Sequence, residues 1–552
     1  MRIALVLLLV SCGSVPTQES ADAIYTNGVI YTADGAFSTA EAIAIRGGRI
    51  LAVGRTADLL KHRGDATKVV DLAGACVVPG LIDAHAHFAS LGSLKRNIDA
   101  RKTKSYAELI DLVKARAAKA AEGEWMLGGR WDNASWGMKE LPTHHELSKA
   151  VPDVPVLLSR VDGHAALANA KAMALAGITR DTKDPSGGDV VMGADGEPTG
   201  IFVDNAMALV RRAVKGRGAP LEELLMDAQA ACFRVGLTGI HDMGVGPDEA
   251  ELMKKLAAAG QLKMRVYLAL SGGAGSIDYF AAHKPSVGER VTFRSCKMYI
   301  DGSMGAGSAW LLAPYADKPV NDQGKPNVGL NVVDPKLIAR VALAALQNGW
   351  QLCVHAIGDR GNREVLDAYE AAIQETGAKD HRLRIEHCQC VALEDIPRFA
   401  KLGVIPSMQP THATSDMRWA EERVGKERLK GCYAWRRFIE AGSRIAGGSD
   451  FPVEGEDPLL GFYAAVTRQD ESGKPEGGWT KDQVMTRQEA LRAFTIDAAF
   501  AAFEEKVKGS LEPGKFGDFV VFDKDLMKCE ANEILKAKVM MTVIGGEVVY
   551  RP

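Results

Sequence analysis

His85 and His87 stand one residue apart at the end of an apolar run, Val77-Val78-Pro79-Gly80-Leu81-Ile82-Asp83-Ala84-His85-Ala86-His87. In an extended strand residues i and i+2 face the same side, so both imidazoles project together from the strand end. Neutral imidazole is the commonest side-chain ligand of zinc-like metals, and catalytic metals keep one position open for water. More candidates end later strand-like runs: Lys297 in Cys296-Lys297-Met298-Tyr299, His355 in Cys353-Val354-His355-Ala356, His387 in Ile385-Glu386-His387, and Asp450 in Gly447-Gly448-Ser449-Asp450. A single strand-end histidine is more simply a hydrogen-bonded core or loop residue. Four histidines and an aspartate on one rim are not explained that way, and they point to a metal-dependent hydrolase.

Lys297 is the unusual member of this set. A protonated ammonium has no lone pair and cannot ligate a cation. A desolvated lysine lowers its pKa and becomes nucleophilic. Reaction with carbon dioxide then yields a carbamate, an anionic two-oxygen bridge that would help neutralise two dications. The alternative is a single-metal site beside an unmodified lysine.

Residues 77–504 alternate strand-like and helix-like patterns, the signature of parallel βα units. Eight candidate strands fall at 77–85, 237–243, 264–270, 293–300, 350–355, 383–387, 404–409 and 444–449, with helical patterns such as Glu222 to Val235, Pro335 to Asn348 and Glu364 to Thr376 between them. The class is α/β, and the architecture expected is a (β/α)8 TIM barrel with its active site at the C-terminal strand ends. Residues 88–220 form a long insertion after the first strand, with a helix from Tyr106 to Ala121 and a hairpin turning at Asp195-Gly196. Such an insertion is expected over the barrel mouth, where it would shape substrate choice. Both ends of the chain read as short strands with Gly47-Gly48 and Gly545-Gly546 turns. Residues 22–76 and 505–552 are therefore expected to form one small β-sandwich.

The chain has 552 residues, 47% hydrophobic and 25% charged, with a formal net charge of −3. That charge argues against a nucleic-acid surface, so the expected partner is a small molecule. Residues 1–21 read as a lipoprotein signal and linker: Arg2, the apolar stretch Ile3 to Val10, then Ser11-Cys12. In that reading Cys12 becomes the acylated first residue. It places the protein in a bacterial cell envelope, lipid-anchored and facing the periplasm or the exterior. The alternatives are a mis-assigned start or an apolar tail. The other eight cysteines lack any Cys-x-x-Cys spacing, and most sit inside apolar runs, so they are read as small core residues with mostly free thiols.

The runs from Pro79 to His87 and from Gly509 to Asp518 resemble the two signatures of the amidohydrolase superfamily. Further runs narrow the resemblance to the amidohydrolase 3 group (YtcJ-like, related to N-substituted formamide deformylase): Trp131-Asp132, Asp162-Gly163-His164, Lys297 to Ser303, His355 to Asp359 and Gly448 to Pro452. The resemblance spans residues 23–552. It departs after Asp301-Gly302-Ser303, where the arginine frequent in such relatives is missing. It implies that His85, His87, Lys297, His355, His387 and Asp450 hold two divalent metals, zinc first, with Lys297 carboxylated by carbon dioxide. Asp450 would then accept a proton from water and pass it to a leaving amine, hydrolysing a non-peptide amide of N-acyl or N-formyl type. His164 is either a substrate contact or a packing residue of the insertion, and Trp131 either a pocket wall or core. Deamination or cyclic-amide opening on the same scaffold is the alternative within enzymes; a non-catalytic envelope binding lipoprotein is the alternative outside them. Self-association into a homodimer is left open.

Overall fold

The computed structural model describes residues 19–552 except 134, 139, 161–164, 186–187, 215–218, 306 and 321–323. Cys12 and the rest of the expected signal, and His164 of the insertion, lie outside the described residues. The chain divides into two compact units, one made by the chain up to Ala86 with Ala231–Pro552, the other by His87–Ala230.

The first unit contains eight parallel strands in sequential order: β1 (Leu81–Ala86), β2 (Leu237–Val245), β3 (Arg265–Ser271), β4 (Val291–Tyr299), β5 (Gln351–Ala356), β6 (Arg384–His387), β7 (Ile405–Met408) and β8 (Ala446–Gly447). Each neighbouring pair is parallel. The seam closes just beyond β8, where Ala86 bridges to Phe451 and Asp450 N–H donates to His85 O at 2.7 Å. These strands are buried on both faces and read as near-continuous apolar runs, as a parallel sheet wrapped by helices requires. The helix Pro335–Asn348 matches its expected bounds, starting on the Asp334 cap and stopping at Gly349 in the left-handed conformation. This is the expected (β/α)8 barrel.

The sequence reading of one strand over 77–85 divides in two. Cys76–Pro79 pairs with Val29–Tyr31 and Phe519–Phe522 outside the barrel, while Leu81–Ala86 enters it. Gly80 stands at the break, where a Cβ would sit 2.2 Å from Thr238 Oγ1. Residues 77–79 thus leave the barrel for the terminal sheets.

Those sheets pack as the sandwich expected from both ends of the chain. One has the order 49–54, 42–46, 23–26, 68–71; the other 547–550, 539–544, 519–522, 76–79, 29–31, 39–40. Tyr25, Ile43 and Ile45 face Val77, Phe519, Val521 and Val543 in one apolar core, with Tyr25 edge-on to Phe519 at 4.8 Å. Asp518 fastens the sandwich to the barrel: it accepts from Arg265 of β3 at 2.5 and 2.8 Å and from Gly545 N–H at 2.7 Å.

The second unit carries a six-stranded sheet, 188–192, 198–204, 165–168, 157–160, 128–131, 98–99. Its hairpin turns at Asp195-Gly196 as expected. The helix Tyr106–Ala117 is shorter than the expected span to Ala121. It is capped by Ser105, which accepts from Glu108 N–H.

The reading of the cysteines as mostly free thiols holds for six of the eight and is corrected at one pair. Cys76, Cys232, Cys296, Cys353 and Cys388 are buried free thiols and Cys529 is partly exposed, but Cys390 and Cys432 form a disulfide. They meet because the loop after β6 lies antiparallel to the chain at Cys432, a contact that spacing alone cannot reveal. The bridge closes a separation of 42 residues, for which chain entropy gives about 4 kcal/mol of stabilisation. The double variant Cys390→Ser/Cys432→Ser is expected to lose stability of that order in denaturant unfolding; an unchanged midpoint would remove the bridge from the stability account.

Candidate metal centre

His85, His355 and His387 come from β1, β5 and β6, and their rings gather at the C-terminal rim. Ring centroids lie 4.7 Å apart for His85–His387 and 4.5 Å for His355–His387. His387 and Asp450 sit at φ +76° and +60°. Non-glycine residues pay for that conformation, and it concentrates at functional sites.

Each ring has one nitrogen committed to an acceptor in the surrounding protein. His85 Nδ1–H donates to Glu386 Oε2 at 2.6 Å, and His387 Nδ1–H donates to Gln409 Oε1 at 2.8 Å. His355 Nε2–H donates to Gly302 O at 3.3 Å, with Asp301 Oδ1 at 3.5 Å. The neutral ring has one proton, so the opposite nitrogen of each carries a lone pair. Burial, the largest influence on all three, keeps them neutral: the pKa falls to about 4 for His85, to about 3 for His355, and well below the usual value for His387. Metal-binding histidines have this arrangement, with an outer acceptor fixing the tautomer and the inner nitrogen left basic.

Asp450 Oδ1 lies 3.7 Å from His85 Nε2. One ligand atom each from His85, His87 and Asp450 can be chosen so that all fall within 4.8 Å of one another. Lys297, on β4, is 1% exposed, with Nζ 3.1 Å from His85 Nε2 and 4.8 Å over the Tyr299 ring. Burial lowers the lysine pKa, against the pull of Glu386 and Asp450. The uncharged amine favoured by that shift is the form that can react with carbon dioxide. Neutral imidazoles, a carboxylate and a desolvated amine around one point form a donor set that fits divalent metals bound through nitrogen and oxygen.

Several supporting residues lie outside the set expected from the sequence. Glu386 accepts from His85 and from Arg384 Nε at 2.8 Å, while Arg384 also reaches Ala84 O, Ser407 Oγ and His241 Nδ1. Arg384 stands across the barrel interior with no exposed surface, and its charge holds the Glu386 carboxyl far below the ordinary range against the burial penalty. Two charged residues two apart inside an apolar strand were the available signal. Asp83 accepts from Ser449 Oγ at 2.6 Å and from the N–H groups of Ser449 and His85, joining β1 to the Asp450 turn. His241 touches Arg384 through Nδ1 at 2.8 Å. Trp131 is accounted for by packing: it is fully buried in the core of the second unit, and its indole N–H donates to Leu158 O at 2.8 Å.

The depressed histidine values set a pH dependence for the metal-free protein. Below about pH 6.5 an unfolded chain binds protons at His85 and His355, which the folded site refuses until about 4 and 3. Proton uptake by the unfolded state destabilises the fold as pH falls. Chelator-treated protein should therefore lose stability steadily from about pH 6.5 toward 3, measured by Tm against pH; a flat profile across that window would contradict the neutral-histidine assignment.

The model of the Amidohydrolase family matches residues 68–550. Protein LONG AFTER FAR-RED 3 of Arabidopsis thaliana is 36% identical, covering 97% of this chain and 92% of that protein. Putative amidohydrolase YtcJ of Bacillus subtilis is 32% identical, covering 96% and 99%. N-substituted formamide deformylase of Arthrobacter pascens is 28% identical, covering 96% and 99%. Among solved structures, an uncharacterized metal-dependent hydrolase from Pyrococcus horikoshii matches with a TM-score of 0.74 and 27% identity, covering 92% of this chain and 99% of that one.

Proposed function

The chain belongs to the amidohydrolase family, and we propose that it is a metal-dependent hydrolase cleaving a non-peptide amide C–N bond, of N-formyl or N-acyl type. The observation that carries this reading is the convergence of the buried His85 and His387 with the partly exposed His355, each with its outer nitrogen bonded and its inner nitrogen basic, beside Asp450. The likeness to N-substituted formamide deformylase supports the choice of bond.

In this reading His85, His87, His355, His387, Asp450 and a carboxylated Lys297 hold two divalent ions, zinc first. When bound, such ions lower the pKa of water toward neutrality and polarise a carbonyl. Asp450 takes the proton from the attacking water and delivers it to the departing nitrogen as the C–N bond breaks. Glu386 and Arg384 keep His85 in its tautomer, and Asp83 holds the turn that presents Asp450. The products are a carboxylic acid and an amine. The lipid-anchored envelope location remains part of the proposal, and the Cys390–Cys432 bridge supports an oxidising compartment.

The test is metal-reconstituted protein assayed on a panel of N-formyl and N-acetyl amines, with amine and acid release measured together. Stoichiometric release of both from at least one compound is expected. Ammonia release from amino-substituted heterocycles, with the amide panel inert, would overturn the reading in favour of deamination.

A further inference from the structure

His412 follows β7 on the short helix Pro410–Asp416. Its ring centroid is 5.9 Å from that of His387, and its Nε2 lies 3.9 Å from Asp450 Oδ2. The residue is 7% exposed. Gln389, two residues beyond His387, donates from Nε2 to His412 Nδ1 at 3.1 Å. A ring nitrogen that accepts carries no proton, so the proton of neutral His412 sits on Nε2. That N–H lies beside Asp450 across a gap longer than a hydrogen bond and has no hydrogen-bond partner among the described residues. Buried donors are paired almost without exception, and one left open beside a catalytic carboxylate is a place for a ligand atom.

The surroundings hold this arrangement in place. Gln389 O accepts from Tyr433 N–H at 2.6 Å. The Tyr433 hydroxyl donates to Asp416 at 2.7 Å, and Asp416 lies one helical turn beyond His412. The Cys390–Cys432 disulfide joins the residues immediately next to Gln389 and Tyr433. The donor that sets the His412 tautomer is thus clamped to the helix that carries His412.

We infer that His412 is a second catalytic residue, whose Nε2–H donates a hydrogen bond to the substrate's carbonyl oxygen as it becomes an oxyanion. The inference rests on the hydrolytic reading above. Water oxygen bonds to the acyl carbon while the C=O π pair moves onto the carbonyl oxygen, which His412 then holds. When that pair returns, the C–N bond breaks and the nitrogen leaves with the proton carried by Asp450. His412 neither gains nor loses a proton, which separates its part from that of Asp450. It also separates His412 from the ligand histidines, because a protonated Nε2 has no lone pair to offer a metal.

The experiment compares zinc-reconstituted wild type with His412→Leu, His412→Gln and Gln389→Glu. Three quantities are measured: zinc per chain, kcat and KM for formanilide and N-butylformamide, and calorimetric affinity for methylphosphonate as a stable tetrahedral anion. Loss of one oxyanion donor lowers kcat by about 10²–10³-fold. His412→Leu is expected to fall by that amount with zinc content and KM unchanged, and to bind methylphosphonate at least about tenfold more weakly. His412→Gln, which keeps an amide N–H at similar reach, should recover part of both. Gln389→Glu should behave like His412→Leu, because a carboxylate draws the ring proton to Nδ1 and turns Nε2 into an acceptor. Loss of zinc in His412→Leu would overturn the inference, since the residue would then be holding the metal site. Equal methylphosphonate affinity in wild type and His412→Leu, including binding by neither, would overturn it as well. If wild type turns over neither formamide nor any other amide of the N-formyl and N-acetyl panel, the proposed reaction fails on that result alone, and the phosphonate comparison still decides His412.

Discussion

Asp450→Asn is expected to keep its metal and lose turnover, with kcat lower by about 10²–10⁴-fold, the usual worth of a positioned general acid–base. Asp450 is placed by its backbone: its N–H donates to His85 O at 2.7 Å, and the preceding Ser449 is held by Asp83 through two backbone contacts and a 2.6 Å hydroxyl bond. None of these contacts uses the Asp450 carboxyl, so an asparagine should sit in the same place. Its carbonyl oxygen can still ligate, but the side chain cannot accept and return a proton. Metal analysis alongside steady-state kinetics checks the claim. A variant that retains most of its kcat would remove Asp450 from proton transfer and leave it a ligand only.

Replacing Lys297 has the second large effect. If the buried amine carries the bridging carbamate, Lys297→Ala should fall from about two metals per chain to one or none, with loss of activity. Lys297→Met, which keeps most of the side-chain volume, should do the same and rules out a cavity as the cause. Restoring metal to stripped wild type should depend on bicarbonate, and restoring it to either variant should not. The chemistry follows from the position: Nζ is 1% exposed and 3.1 Å from His85 Nε2. A full positive charge there would be costly beside a dication, whereas a carbamate would be attracted to one. One metal per chain in wild type and in both variants would establish a mononuclear site and an unmodified lysine.

A closed ring of parallel strands explains why so much of this was legible in one dimension. Every strand of such a barrel ends on the same rim, so ligands that are far apart in sequence need only share a position relative to their own strand end. His85, Lys297, His355, His387 and Asp450 meet that condition, and strand-like runs locate each of them within a few residues. The paired glycines at 47–48 and 545–546 likewise announced hairpins, because two consecutive residues at positive φ are easiest for glycine.

Other features depend on what lies across a sheet or across the barrel. The division of the first strand at Gly80 is decided by its partners, Val29–Tyr31 and Phe519–Phe522 before the glycine and Leu237–Val245 after it. The Cys390–Cys432 bridge depends on two loops lying side by side. Trp131 looks alike in sequence whether it walls a pocket or fills a core, and only packing assigned it to the core. Periodicity and turn chemistry are local, so the barrel, the strands of the terminal sheets and the residue types at the rim were legible in the chain. Tertiary structure alone decided which nitrogen of each histidine points inward. That choice is made by Glu386, Gly302 and Gln409, acceptors that reach the rings only once the strands have closed around them.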